Sequence, residues 1–446
     1  PNSQIRDAPQ YITFGSHVIT RQFTSYAQLP YADYRDGITF TNVNRHGFIQ
    51  ELRFTSNPAP VRRLAWVAGL YYSNFNSSER YDNTYPDLNE IAEAIYGIDE
   101  LQRYGTAAPL YHGLEEFDAE RQWLHGGDEA VYGEVALRAT SRLTLTAGVR
   151  PDRDRLDYRE EHFGSTDGFE VPTPANGGGP NPGSLTEGSV ALHFEAQYQL
   201  THDKMVYLSA AQGFRPGGVN THLPPSICAP GFGQYGLPVS AEPADYRGDS
   251  VWSYEAGGKF GLWGGRAQLN GAVYRLDWKD PQLSVSVGLA CPAFVSNAGY
   301  ARSEGLEFEG AANLLHGLSA NFAVGYDDAR YTENAVALPG GKPVLYAAYA
   351  GQHIAVPPLT ATVGTQFSVA VAADSNAYAR IDWQYAMHYS NTISQVYSFD
   401  DRANPSYAPD NIYPDTQETN LRVGWQHNGY NLSLYVLNLF NTMKGV

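Results

Sequence analysis

The segment YGEVALRATSRLTLTAGVR (132–150) contains two runs of alternating side chains joined by a short polar turn at Thr140-Ser141. Its second half sets Leu143, Leu145, Ala147 and Val149 against Arg142, Thr144, Thr146 and Arg150. Successive side chains of a strand point to opposite faces, so this segment predicts a β-hairpin with one apolar and one polar face.

The same pattern repeats along the rest of the chain. The predicted hairpins turn at residues rich in Gly, Pro, Asn, Asp or Ser, as tight turns require, and these turns lie at 57–60, 140–141, 201–203, 263–265, 315–317, 373–375 and 427–429. The connections between hairpins are longer than is usual in a soluble domain, and they include 73–129, 151–188, 214–249 and 327–360. Short turns at one end and long loops at the other are typical of an outer-membrane barrel.

The length of the strands supports the same fold class. Strands of about ten residues cross a hydrocarbon layer at a barrel tilt. We therefore predict an all-β fold, an antiparallel transmembrane β-barrel with long extracellular loops. It is partial, with about 14–16 of the roughly 22 strands of plugged outer-membrane transporters. One of these strands is expected at 10–21, and apolar residues at helical spacing predict a short helix at 88–98 on the barrel rim.

Composition narrows the classes of function. The chain has 446 residues, of which 43% are hydrophobic, and a net charge of −17. No run of about eighteen apolar residues occurs, which excludes a transmembrane helix. The acidic balance argues against a nucleic-acid partner, because phosphate binding needs clustered Lys and Arg. The acidic stretch 79–120 is interpreted as a solvated loop, with contact to a divalent cation or to lipopolysaccharide as the alternative.

The two cysteines, Cys228 and Cys291, fall in long loops on the same side of the predicted barrel. That side would face an oxidising exterior, so we predict a disulfide between them. Two unpaired thiols are the alternative.

Patterns for catalysis are missing from the sequence. It contains no G-x-S-x-G elbow, no H-E-x-x-H and no G-x-x-x-x-G-K-[ST] loop. The histidines lack the spacing of metal ligands. We therefore expect no enzyme activity, no catalytic residue, no cofactor and no metal site built by the protein.

Several segments, in this order, resemble the barrel of the TonB-dependent outer-membrane receptors. They are FIQELRFTS (48–56), WVAGLYY (66–72), VYLSAAQGFRPGGVN (206–220), YEAGGKF (254–260), NAGYARSEGLEFEG (297–310), NLRVGW (420–425) and SLYVLNLFN (433–441). The family also has an N-terminal plug, a TonB box and a last strand that ends in an aromatic residue. Residues 1–446 contain none of these and are expected to be a fragment of the barrel domain.

The resemblance implies active transport. Such a receptor lies in the outer membrane of a Gram-negative cell and imports a scarce solute, such as a ferric siderophore, with energy from the TonB system. The implied partners are a small-molecule or metal-chelate ligand, the TonB complex through the missing plug, and outer-membrane lipid and lipopolysaccharide around a monomer. Residues of loops and lumen that could contact the ligand are Tyr104, Tyr111, Arg215, Phe232, Tyr235, Tyr346 and Arg380.

Two other functions stay open at this point. A passive outer-membrane porin would need no plug, and a soluble extracellular binding or adhesion β-sandwich would need no membrane. The solute itself is also open, since ferric siderophores, cobalamin, haem, nickel complexes, oligosaccharides and plant aromatics all fit the pattern.

Overall fold

The computed structural model describes residues 2–7, 38–56, 63–85, 110–111, 114–163, 181–220, 223, 225–285, 287, 291, 293–297, 299–342, 344–391 and 411–442. These residues form one large antiparallel sheet and several small sheets in the loops. The strands are β1 (Asn2–Asp7), β2 (Ile38–Thr55), β3 (Leu64–Tyr85), β4 (Leu110–Tyr111), β5 (Leu114–Arg138), β6 (Leu143–Phe163), β7 (Asn181–Thr201), β8 (Lys204–Arg215), β9 (Gly218–Val219), β10 (Asp245–Tyr246), β11 (Asp249–Leu262), β12 (Ala267–Lys279), β13 (Gln282–Val285), β14 (Phe294–Asn297), β15 (Tyr300–Leu315), β16 (Leu318–Tyr331), β17 (Ala335–Leu338), β18 (Leu345–Ala348), β19 (Leu359–Ala372), β20 (Ser375–Ala386), β21 (Tyr389–Asn391), β22 (Asn411–Tyr413), β23 (Thr416–His427) and β24 (Tyr430–Val436).

The large sheet follows the chain order. Its path is β1, β2, β3, β5, β6, β7, β8, β11, β12, β15, β16, β19, β20, β23 and β24, with β4 paired to β5. Within the described residues the path runs from β1 to β24 and the sheet is not closed. The helices among the described residues are α1 (Pro225–Gln234) and two 3-10 turns, Val239–Ala241 and Trp263–Gly265.

The seven predicted hairpins are confirmed. They are the pairs β2–β3, β5–β6, β7–β8, β11–β12, β15–β16, β19–β20 and β23–β24. The turns use residues that tolerate a left-handed backbone, such as Gly317 at φ 79° and Asp374 at φ 56°. The predicted turn at 57–60, the strand at 10–21 and the helix at 88–98 lie outside the described residues.

The strands are longer than the sequence predicts. Their length reaches 22 residues in β3 and 25 in β5, against the expected ten or so. Parts of the predicted loops 73–129 and 151–188 therefore continue the same hydrogen-bonded ladders, up to the pairs Tyr85 with Glu115 and Glu160 with Asn181. The physical reason is that both faces of these extensions are polar, so the alternation that marks a strand disappears while the backbone pairing persists.

The register aligns an apolar face and a polar face across the sheet. One row of the apolar face joins direct partners in the order Leu145, Ala196, Leu208, Ala256, Val273, Leu306 and Tyr326. The adjacent row of the polar face runs Thr146, Glu195, Ser209, Glu255 and Tyr274. Leu208 is 62% exposed, and the residues that the structure describes leave this apolar face uncovered. A band of exposed apolar side chains of this size requires another apolar phase.

Glycines on the polar face make room for tyrosine rings from the neighbouring strands. A Cβ on Gly257 would lie 2.6 Å from Cζ and Oη of Tyr207. The same crowding joins Gly305 to Tyr274, and Gly424 to Tyr378. Glycine is favoured at these positions because a side chain there would displace the tyrosine ring beside it.

Candidate functional site

The end of the polar face that lies beside the long connections carries a cluster of carboxylates on three adjacent strands. Asp128 of β5 is the direct partner of Asp154 of β6, and Asp154 is the direct partner of Glu187 of β7. Asp152 lies one step lower on the same face of β6 and has a fully buried side chain. We call these four residues the acidic mouth.

One arginine pairs with part of this cluster. Arg150 Nε donates to Asp152 Oδ1 at 2.8 Å, and its Nη2 lies 3.3 Å from Asp128 Oδ2. The guanidinium also lies over the ring of Tyr71, with 5.1 Å between Cζ and the ring centroid. Arg150 is therefore held in place by two carboxylates and by a cation–π contact.

The acidic mouth lies beyond the apolar band. On β6 the apolar face carries Leu145 and Val149 below this level, but Arg153 and Arg155 at the level of the carboxylates. Because charged side chains replace the apolar ones there, this part of the sheet projects above the region that would contact hydrocarbon.

Glu187 links the sheet to the loops above it. Its carboxylate accepts a hydrogen bond from the backbone N–H of Gly217 at 2.8 Å and from that of Gly248 at 2.9 Å. These two glycines lie near the start and the end of the connection between β8 and β11. The same side chain thus lines the mouth and anchors a loop.

Three connections pack together above the sheet. We call the described residues of 216–248, 280–299 and 332–358 the loop cap. Its core is a cluster of buried side chains: Leu223, Cys228, Phe232, Tyr235, Val239, Val285, Val287, Cys291, Phe294, Ala335, Ala337, Leu338, Leu345, Ala347 and Ala348. A core of this size makes the loop cap a packed layer with its own hydrophobic stabilisation.

A disulfide between Cys228 and Cys291 crosses this core, with 4.8 Å between the two Cα atoms. It ties α1 to the connection between β12 and β15, and the two cysteines are 63 residues apart in the chain. Asn220 adds a second link, because its side chain donates to the carbonyls of Pro243 and Val295 and accepts from Val295 N–H at 2.7 Å.

Two of the residues predicted to contact a ligand belong to this core instead. Phe232 has no exposed surface and stacks on Phe294, with 6.1 Å between the ring centroids. Tyr235 is 7% exposed. The sequence predicted that these two residues contact a ligand, but the structure gives them a role in packing. The sequence pattern alone does not separate loop aromatics that pack a core from loop aromatics that face solvent.

The other predicted residues that the structure describes belong to different parts of the sheet and of the loop cap. Arg215 pairs with the buried Asp249 at the base of the loop cap and lies 5.7 Å from the ring of Trp278. Arg380 lies on the polar face of β20, where it pairs with Asp382 and donates to Asn321 at 3.2 Å. Tyr346 contacts Tyr349 in the loop cap, at 5.3 Å between centroids. Tyr111 belongs to β4 but its side chain is not described, and Tyr104 lies outside the described residues.

Within the loop cap, burial raises the pKa of Glu242 to about 7, while a hydrogen bond from Leu223 N–H, at 3.0 Å, opposes the shift. This carboxyl group therefore changes its charge near neutral pH inside the packed layer. Its other oxygen, Oε1, is buried and has no hydrogen-bond partner in the described part of the chain.

Carboxylates continue down the polar face below the mouth. Glu134 pairs with His193 at 2.9 Å. Tyr207 donates to Glu255. Tyr132 donates to Glu51 of β2, which the register places on the same row as Asp152. Further carboxylates of this face are Glu195, Glu307 and Glu309. The surface that a solute would pass is therefore predominantly acidic in its upper and middle parts.

The acidic mouth lies in 151–188 and in 73–129, segments that the sequence predicts to be loops. Acids in a loop are usually solvated charge. The signal that could have found them is the alternation of Asp152 and Asp154 with Arg153 and Arg155, which is a two-residue period that continues directly from the strand before it.

In the part of the chain that the structure describes, no group of three or more His, Cys, Asp or Glu side chains is arranged to hold a metal ion. The helices in that same part are too short or too polar to span a membrane.

A family model described as TonB dependent receptor-like, beta-barrel matches residues 4–439. Among solved structures, the ferric yersiniabactin uptake receptor FyuA from Yersinia pestis is 18% identical, with a TM-score of 0.62 over 91% of this chain and 50% of that chain. The siderophore receptor PiuA from Acinetobacter baumannii is 14% identical, with a TM-score of 0.59 over 91% of this chain and 52% of its own.

The copper transporter OprC is 14% identical and aligns with a TM-score of 0.57, over 91% of this chain and 52% of that chain. The chain thus spans about half the length of the solved structures that it matches. At these identities the likeness shows a shared β-barrel fold.

Proposed function

Because this chain belongs to the TonB-dependent receptor-like β-barrel family, we propose that it forms the barrel wall and the loop cap of an outer-membrane active-transport receptor. In this proposal the apolar face contacts the lipid and lipopolysaccharide of a Gram-negative outer membrane. The polar face lines the path of the solute, and energy comes from the TonB system through a plug. TonB-dependent receptors are transporters, and we propose no catalytic role for this chain.

The observation that carries the proposal is the combination of one uncovered apolar face, one charged face and a packed cap at one end of the sheet. An uncovered apolar face supports a membrane setting, because monomeric soluble proteins rarely expose so large an apolar surface to water. The loop cap supports capture of a solute, since binding loops on a rigid scaffold are the usual place for recognition.

The solved structures that this chain resembles indicate a class of solute. FyuA and PiuA are receptors for siderophores, and OprC is a copper transporter. We propose import of a scarce metal complex or of a small solute of comparable size, captured by the loop cap and passed along the polar face.

Uptake measurements test this function. The full-length gene is expressed in a Gram-negative strain that lacks its own receptors, and entry of labelled ferric siderophores, cobalamin, haem and copper is followed with and without an intact TonB system. We expect the gene to confer uptake of at least one of these solutes only when TonB is present. Equal uptake in cells that lack TonB would contradict active transport and support a passive porin.

A further inference from the structure

We propose that the acidic mouth binds a cationic group of the solute, an ammonium or a guanidinium. The inference rests on the proposed transport function and deepens it by naming a chemical class for the cargo. It follows from the charge count, from unpaired buried oxygens and from the position of the cluster.

The acidic mouth carries more negative charge than its neighbours balance. Asp128, Asp152, Asp154 and Glu187 contribute four carboxylates, and Arg150 contributes one guanidinium, which leaves a net charge of −3 when all are ionised. Among the described residues, Arg150 forms ion pairs with Asp128 and Asp152, and no ion pair is seen for Asp154 or Glu187. A cation would relieve the repulsion within this row.

Three oxygens in or beside the acidic mouth are buried and have no hydrogen-bond partner among the described residues. They are Asp128 Oδ1, Asp152 Oδ2 and Ser189 Oγ. Ser189 is the direct partner of Asp152 across β6 and β7, so these atoms belong to three adjacent strands at nearly one level. A buried carboxylate oxygen without a donor costs free energy, and native proteins usually satisfy such atoms.

A cation with N–H donors fits this set better than a bare metal ion. Divalent metals need several oxygens that converge within roughly 2.0–2.6 Å, and no such group occurs among the described residues. An ammonium offers three rotatable donors and a guanidinium offers five, and both bond over longer distances. The acceptors of the mouth, spread over three strands, match that geometry.

The acidic mouth lies where a cation that enters from the loop cap would first meet the polar face. Asp154 and Glu187 are half-buried on the polar face, so they present an accessible edge directly below Gly217 and Gly248 of the loop cap. Below them the polar face continues with further acids, Glu134, Glu195 and Glu255 among them. A surface lined by one sign of charge concentrates the opposite ion, which draws a cation inward from the cap.

The test uses the full-length receptor purified in detergent at pH 8 and spermidine as the probe, followed by titration calorimetry. We expect Asp154→Asn and Asp128→Asn each to weaken spermidine binding by about tenfold, because each removes one charge-assisted acceptor. The control variant Asp374→Asn removes one charge from a turn at the far end of the sheet and should change the affinity less than about twofold. Asp154 forms no ion pair among the described residues, so its amide variant is expected to fold.

Three results would overturn the inference: no binding of spermidine to the wild type, equal affinity in the mouth variants and the wild type, or displacement of spermidine by calcium at equal concentration. Failure of the inference can be told apart from failure of the proposed function. If uptake depends on TonB but spermidine does not bind, only the cationic cargo is rejected. If spermidine binds but uptake is the same without TonB, only active transport is rejected.

Discussion

Replacement of Gly305 by valine is expected to destabilise the central part of the sheet. Any Cβ at Gly305 would collide with the carbonyl oxygen of Tyr326 and with the hydroxyl of Tyr274, on the strands at either side. Overpacking of this kind costs about 3 kcal/mol, and here a backbone atom cannot move aside without breaking the β15–β16 ladder. The free energy of unfolding in detergent, measured by urea titration, should fall by that amount.

The matched control is a second strand glycine with space around it. At Gly133 the nearest atom to an added Cβ is the Val67 carbonyl oxygen at 3.7 Å, an ordinary contact. Gly133→Ala should therefore leave stability within about 0.5 kcal/mol of the wild type. If Gly305→Val and Gly133→Ala were equally stable, the close packing of tyrosine rings against strand glycines would not describe the folded protein.

Loss of the disulfide is expected to open the loop cap while the sheet stays folded. Replacement of Cys228 and Cys291 by serine removes a link between segments 63 residues apart. In the chain-entropy model of disulfides, this costs about 4 kcal/mol. The two serine hydroxyls would also be buried among the apolar side chains of the core, which costs free energy.

Hydrogen exchange measures this effect locally. Protection of cap amides such as Lys342 N–H, which donates to the Tyr235 carbonyl at 2.8 Å, should fall by roughly a thousandfold. Amides of the β7–β8 hairpin provide the internal control and should keep their protection. Unchanged protection in the cap would show that the apolar core holds the three connections together without the disulfide, and would reject a stabilising role for the bridge.

The sequence predicted the hairpins because each one has its own turn chemistry and its own alternation. Segments such as 142–150 and 189–200 carry apolar residues at every second position, and that period fixes both the strand and its face. The ends of the strands could not be predicted in this way. Above the apolar band, as at Arg153 and Arg155, both faces are polar, so the alternation of apolar and polar residues ends and only the sign of the charge still alternates.

The candidate site was less predictable than the fold for a related reason. The acidic mouth depends on the register that places Asp128, Asp154 and Glu187 side by side, although they are far apart in the chain. The loop cap depends on packing between three connections, and Phe232 and Tyr235 showed no periodicity that would separate core from surface. Pairing and packing of distant segments are tertiary properties, so a local pattern does not report them.

The two faces of this sheet should meet different environments, lipid on one side and water on the other. Single cysteines on β19 test this most directly, because the described residues contain no free thiol that would interfere. Spin labels at Val363 and Phe367 of the apolar face, and at Thr362 and Gln366 of the polar face, are measured in the full-length protein in outer-membrane vesicles. We expect oxygen dissolved in lipid to relax the first pair and an aqueous nickel complex to relax the second. Equal access of the nickel complex to all four positions would contradict a membrane-spanning sheet.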